Sequence, residues 1–117
     1  MTKPLVFVVE DDPQLSQIFT LTLSELFEVE AITDGTQALA RLSEVAPHLI
    51  VLDINLPGAS GVEILHSIRA DTRFDSTRVI LATANPRQAD ELRDKADIVL
   101  LKPISIVQLR DFAERLK

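Results

Sequence analysis

Cysteine is absent from the 117 residues, which removes disulfides, thiolate metal sites and cysteine nucleophiles together. Its absence also suits a reducing compartment. Tryptophan and tyrosine are missing as well, so intrinsic fluorescence is a poor reporter of this protein. Glycine is scarce, at three residues, and neither GxxxxGK[ST] nor GxGxxG occurs, so no nucleotide-binding glycine motif is present. Lys and Arg are scattered rather than clustered, and the formal net charge is −6. Neutralising phosphates supplies most nucleic-acid affinity, so an acidic chain without a basic stripe is expected to make no direct contact with nucleic acid. The apolar run near the N-terminus, LVFVV at 5–9, is too short for a signal-peptide core or a bilayer span. A cytoplasmic protein with no membrane association is expected.

What is present fits one domain over residues 1–117, with 46% hydrophobic and 26% charged residues. Five short apolar runs alternate with helical patterns: 5–9, VEAI at 29–32, LIVLDI at 49–54, VILAT at 79–83 and IVLL at 98–101. Four of them are nearly continuous in Val, Ile and Leu, as strands of a parallel sheet buried on both faces are. VEAI carries Glu30 in its middle and predicts an edge strand. Asp12-Pro13 predicts the start of a first helix, with Leu15, Ile18, Phe19, Thr22 and Leu26 on its inner stripe. Asp34-Gly35 precedes a second helix carrying Ala38, Leu39 and Leu42, and Gly61 a third carrying Val62, Leu65 and Ile68. A short fourth segment runs over 86–95 with Ala89 and Leu92 inward. Ser105 caps a fifth helix with Leu109, Phe112, Ala113 and Leu116 inward. The fold class is α/β: a (βα)₅ chain whose right-handed crossovers place helices on both faces of a five-stranded parallel sheet, in three layers. Any site in such a sheet belongs at the carboxyl ends of the strands.

Those ends carry the chemistry. Glu10, Asp11 and Asp12 follow the first strand, Asp53 ends the third, Thr83 ends the fourth, and Lys102-Pro103 follows the fifth. Carboxylates held this close repel unless a proton or a cation intervenes. A hard divalent cation that takes one to three carboxylates and meets a phosphate oxygen is Mg²⁺. A backbone carbonyl at Asn55 could complete the shell. Beside such an ion Asp53 can act as a carboxylate nucleophile towards a phosphoryl group. The Lys102 ammonium adds a further positive charge, and the Thr83 hydroxyl can donate to a phosphoryl oxygen. Taken singly, each residue has a plain structural role, and Asp12 beside Pro13 reads as a helix cap. What points to a site is that every member falls at the same end of its strand. His48 and His66 have no partner at metal-ligand spacing and read as surface or boundary residues.

With these residues in view, the chain resembles the receiver domains of two-component response regulators over essentially its whole length. VVEDDP, VLDINLPGASGVEIL, ILATA and LLKP carry the resemblance. It implies a flavodoxin-like sheet of order 2-1-3-4-5, an order the receiver fold itself illustrates. It implies phosphorylation of Asp53 by a sensor histidine kinase or a histidine phosphotransfer protein. Mg²⁺ would then be held by Glu10, Asp11, Asp53 and the Asn55 carbonyl, with Thr83 as switch hydroxyl and Lys102 as the paired cation. It further implies a cis bond before Pro103, and Asn55 and Asn85 beside the path of hydrolytic water. Pairing of two copies through the face of helix 4, strand 5 and helix 5 is the family habit.

Two departures concern output. The position three before Lys102, where many receivers carry Tyr or Phe, is Val99, which cannot report by ring rotation. The stretch from Thr83 to Lys102 is shorter than is usual, so helix 4 is expected to be short or displaced. Two other readings compete: a Mg²⁺-dependent phosphohydrolase with Asp53 as nucleophile, and a docking module that is never phosphorylated. Against the first, the second Asp that haloacid-dehalogenase-like enzymes carry two residues on is here Asn55, and no cap domain fits in the length. Against the second, the full acidic and basic set is retained.

Overall fold

The computed structural model describes residues 2–117. Five parallel strands, β1 (Leu5–Val9), β2 (Glu28–Ile32), β3 (Leu49–Asp53), β4 (Arg78–Thr83) and β5 (Ile98–Leu101), form one sheet of order β2-β1-β3-β4-β5. Helices α1 (Pro13–Leu23), α2 (Gly35–Leu42), α3 (Gly61–Ala70) and α4 (Pro86–Leu92) connect them, and α5 (Ile106–Arg115) follows β5. No helix among the described residues is long and apolar enough to cross a membrane.

Alternation along the strands explains why the runs of β1, β3 and β4 are unbroken. Phe7, Val9, Ile50, Leu52, Val79 and Leu81 point to one core with α2, α3 and Leu92 of α4. Val6, Val8, Leu49, Val51 and Ile80 point to the other, with Phe19 and Leu23 of α1 and Leu109 and Ala113 of α5. β2 is an edge strand with an exposed start and only Ile32 fully buried, as its central glutamate predicts. The fourth unbroken run, IVLL, differs from expectation: as β5 it is the second edge strand, with only Leu100 buried and Leu101 exposed.

Each helix starts within one residue of expectation, with Gly35 and Gly61 as the first residues of α2 and α3 instead of preceding them. Asp12, Asp34, Ser60, Asn85 and Ser105 cap α1 to α5 with side-chain oxygens, and Ser60 and Glu63 form a reciprocal capping box. The inner face of α1 differs from expectation. Ile18 is exposed and Thr22 only half-buried, whereas Ser16, Phe19 and Leu23 point inward. The helix ends at Leu23, so Leu26 lies in the turn beyond it, where Phe27 fills the core. A small buried serine interrupts the apolar pattern, which is why the stripe reads one residue out of phase. The fourth helical segment is α-helical only to Leu92 and tightens into a 3₁₀ turn over Arg93–Lys95. A second 3₁₀ turn, Thr72–Phe74, buries Phe74 and was not legible in the sequence.

Gly61 sets the distance between the end of β3 and the start of α3. A Cβ at that position would lie 2.4 Å from the Asp53 carbonyl oxygen and 2.5 Å from the Ile54 Cα. Both are backbone atoms and neither can swing aside. Gly61→Ala should therefore destabilise the protein by about 2–3 kcal/mol, as overpacking does, read as a lowered urea midpoint. An unchanged midpoint would mean that the β3–α3 junction is looser than the structure shows.

Candidate functional site

The parallel sheet delivers its polar residues to one edge. Glu10 follows β1, Asp53 ends β3, Thr83 ends β4 and Lys102 follows β5. Backbone hydrogen bonds tie these ends together: Glu10 N–H to the Ile32 carbonyl, Ile54 N–H to Ala82, and Lys102 N–H to the Thr83 carbonyl at 2.8 Å. The Lys102–Pro103 bond is cis, in agreement with the resemblance.

Glu10, Asp11 and Asp53 place carboxylate oxygens within 4.8 Å of one another. Glu10 and Asp53 are 2% and 3% exposed, while Asp11 is open to solvent. Lys102 reaches in with its Nζ 3.0 Å from Asp53 Oδ2 and 3.6 Å from Glu10 Oε1. The Asn55 N–H donates to Asp53 Oδ1 at 3.1 Å, and the Asp12 N–H to Glu10 Oε2 at 3.2 Å. Glu10 Oε1 is buried without a hydrogen-bond partner.

The electrostatics follow from this packing. Burial lifts the Glu10 carboxyl to about 7, with the neighbouring Asp53 charge adding to the rise. The Asp12 N–H and the Lys102 ammonium pull the other way and do not cancel it. For Lys102, burial works against the charged form, but the hydrogen bond to Asp53 and the charges of Asp53 and Glu10 outweigh it, so its ammonium is held above the ordinary range. Three acids thus face one cation. An orphaned buried carboxylate oxygen beside two more acids is a donor set for a hard divalent ion, whose charge would complete the neutralisation that Lys102 begins.

Thr83 is fully buried, and its side chain is engaged elsewhere. The hydroxyl donates to Gln88 Oε1 at 2.8 Å and accepts from the Asn85 N–H at 3.1 Å. The Asn85 side chain is occupied as the α4 cap, accepting from the Arg87 and Gln88 N–H groups. Asn55 is exposed beside Asp53. His48 is half-buried and bonds the Leu116 carbonyl, while His66 is exposed next to Lys95, so neither joins the site. Gln88 is the residue that sequence reasoning missed. Its one local signal is its place in the first turn of a helix that begins three residues after Thr83.

A profile of the family described as response regulator receiver domain matches residues 6–114. The chain belongs to the response regulator receiver family. Among curated relatives, the DNA-binding response regulator MtrA of Mycolicibacterium smegmatis is 34% identical over 108 residues, 89% of this chain and 46% of MtrA. Hybrid signal transduction histidine kinase D of Dictyostelium discoideum is 36% identical over 89 residues, 76% of this chain and 6% of the kinase. The receiver therefore spans less than half the length of either relative. Among solved structures, the BeF3-activated DrrB receiver domain superposes with a TM-score of 0.87 at 28% identity, covering 98% of this chain and 97% of that one. The acidic cluster at the sheet edge is of the kind that serves a phosphoacceptor switch in this family. Such a receiver works on its own aspartate, taking up and losing a phosphoryl group, and is not a general catalyst.

Proposed function

We propose that Asp53 is the phosphoacceptor of this receiver, with Glu10, Asp11, Asp53 and the Asn55 carbonyl as the ligands of a Mg²⁺ ion. The observation that carries this reading is the shared pocket of three carboxylates closed by the Lys102 ammonium. Asp53 is the member best placed to react. It ends the central strand β3, one of its oxygens is positioned by the Asn55 N–H, and the other lies against Lys102. An Asp53 oxygen forms the new bond to phosphorus, and the bond from phosphorus to the donor histidine nitrogen breaks, returning its electron pair to the imidazole. Lys102 balances the charge that gathers on the phosphoryl oxygens, and Thr83 supplies a hydroxyl to one of them. Bound Mg²⁺ supplies charge neutralisation on the acids and on the phosphoryl oxygens.

The donor in this reading is a cytoplasmic sensor histidine kinase or a histidine phosphotransfer protein, and the similarity to a segment of a hybrid histidine kinase supports that class of partner. Leu101 and Val107 are exposed apolar side chains on β5 and α5, which supports association through this side, including pairing of two copies.

Acetyl phosphate with Mg²⁺ should add one phosphoryl group to the intact protein, and an EDTA control should show none. Peptide mapping after borohydride reduction should place the label on Asp53. Labelling on another residue, or labelling indifferent to EDTA, would overturn the assignment.

A further inference from the structure

We infer that Gln88 is a positioning residue that acts through Thr83: its side-chain amide competes with the phosphoryl group for the Thr83 hydroxyl proton and so couples the site to α4. This rests on Asp53 being the phosphoacceptor and names the residue through which that site is regulated.

Thr83 has a single hydroxyl proton, and a proton serves one strong acceptor at a time. In this structure it goes to Gln88 Oε1 at 2.8 Å, while the Asn85 N–H at 3.1 Å occupies the hydroxyl as an acceptor. The hydroxyl has no exposure, so water cannot substitute for a lost partner without rearrangement. Thr83 follows Ala82, the register partner of Asp53, and so lies one residue beyond the acceptor's level at the same end of the neighbouring strand. A phosphoryl oxygen on Asp53, carrying charge, is a stronger acceptor than a neutral amide. When the hydroxyl turns to it, Gln88 Oε1 loses its donor.

The loss falls on a fragile element. α4 has seven residues, far below the length at which a helix stands alone in water. It is held by Ala89 and Leu92 in the core, by the Asn85 cap and by the Thr83–Gln88 bond. Gln88 is in the first turn, so breaking its side-chain bond releases the end of α4 next to the site. Val99 on the neighbouring strand β5 is a partly buried apolar residue packed in the same cluster as Leu92. It has neither a ring to swing nor a polar group to exchange. The hydroxyl-to-amide bond is the direct polar link from the site into α4.

The competition has a sign that ordinary structural damage lacks. Gln88→Ala removes the competing acceptor, whereas Gln88→Glu replaces it with a charged and stronger one. Affinity for beryllofluoride in the presence of Mg²⁺ should therefore rise about three- to tenfold in Gln88→Ala, the scale of one net hydrogen bond. It should fall by a comparable factor in Gln88→Glu. Titrations followed by amide NMR give the affinity, and the same spectra should show Gln88→Ala with α4 amides displaced, before any ligand, towards their positions in the saturated wild type. Equal affinities in all three proteins, or shifts of the same direction in both variants, would overturn the competition while leaving Asp53 as the acceptor. A wild type that neither binds beryllofluoride nor takes up phosphate would overturn the phosphoacceptor assignment and the inference with it.

Discussion

Asp53→Asn should abolish phosphoryl uptake from acetyl phosphate while leaving the fold intact. Asparagine is nearly isosteric, and its side-chain oxygen can still accept the Asn55 N–H that now bonds Asp53 Oδ1. What disappears is the anionic nucleophile, one of three carboxylates in the pocket and the near partner of Lys102 at 3.0 Å. The neutral amide has no carboxylate oxygen with which to form an acyl phosphate, so the loss is complete rather than partial. A second consequence separates chemistry from structure. Burial raises the Glu10 carboxyl, and the Asp53 charge and hydrogen bond add to the rise, so removing that charge should lower the Glu10 pKa. Intact mass reports the first effect and carboxyl carbon NMR titration the second. A variant that still gains a phosphoryl group would show that another residue is the acceptor.

Glu10→Gln should weaken Mg²⁺ binding by at least about tenfold, the scale on which even outer-shell partners of a metal count. It should also stabilise the metal-free protein at alkaline pH. The direction follows from linkage. The folded Glu10 pKa is about 7 against an ordinary 4.5, so between those values the native state holds more protons than the unfolded chain. Its contribution is fully present below about 4.5 and is lost as pH rises through about 7. Above that, the native state carries a buried carboxylate whose Oε1 has no hydrogen-bond partner, at a cost on the order of 3 kcal/mol. Glutamine removes that proton dependence, and its side-chain carbonyl can still take the Asp12 N–H. In EDTA the variant should therefore gain on the wild type as pH rises from 5 to about 8, measured by denaturant midpoints at each pH. With saturating Mg²⁺ the order should reverse, because binding to the native state stabilises only the protein that retains the ligand. Parallel pH profiles for the two proteins in EDTA would contradict the burial of an ionisable Glu10.

Much of this was legible along the chain. Uninterrupted apolar runs announced β1, β3 and β4 as strands buried on both faces, Glu30 marked β2 as an edge strand, and Asp12 and Ser105 announced helix starts. IVLL, in contrast, reads as equally buried and is the partly exposed edge strand β5. The acidic and basic set was legible for a related reason. In a parallel sheet every carboxyl end lies on one edge, so residues that follow strands meet whatever their separation in sequence. Where local patterning was ambiguous the sequence misled. Ser16 in an otherwise apolar face shifted the α1 stripe by a residue, and a 3₁₀ turn built around one phenylalanine, Phe74, left no periodic trace.

The sequence by itself determined which strands and α-helices form, in what order along the chain, and which strand-end polar residues reach the reactive edge, because these follow from strand periodicity, capping chemistry and the handedness of crossovers. Only the tertiary structure decided how those side chains are spent. Glu10 is buried while its neighbour Asp11 faces solvent, and Thr83 turns its proton to Gln88. Burial and hydrogen-bond choice depend on atoms brought together from different strands and helices, at distances that no local pattern encodes.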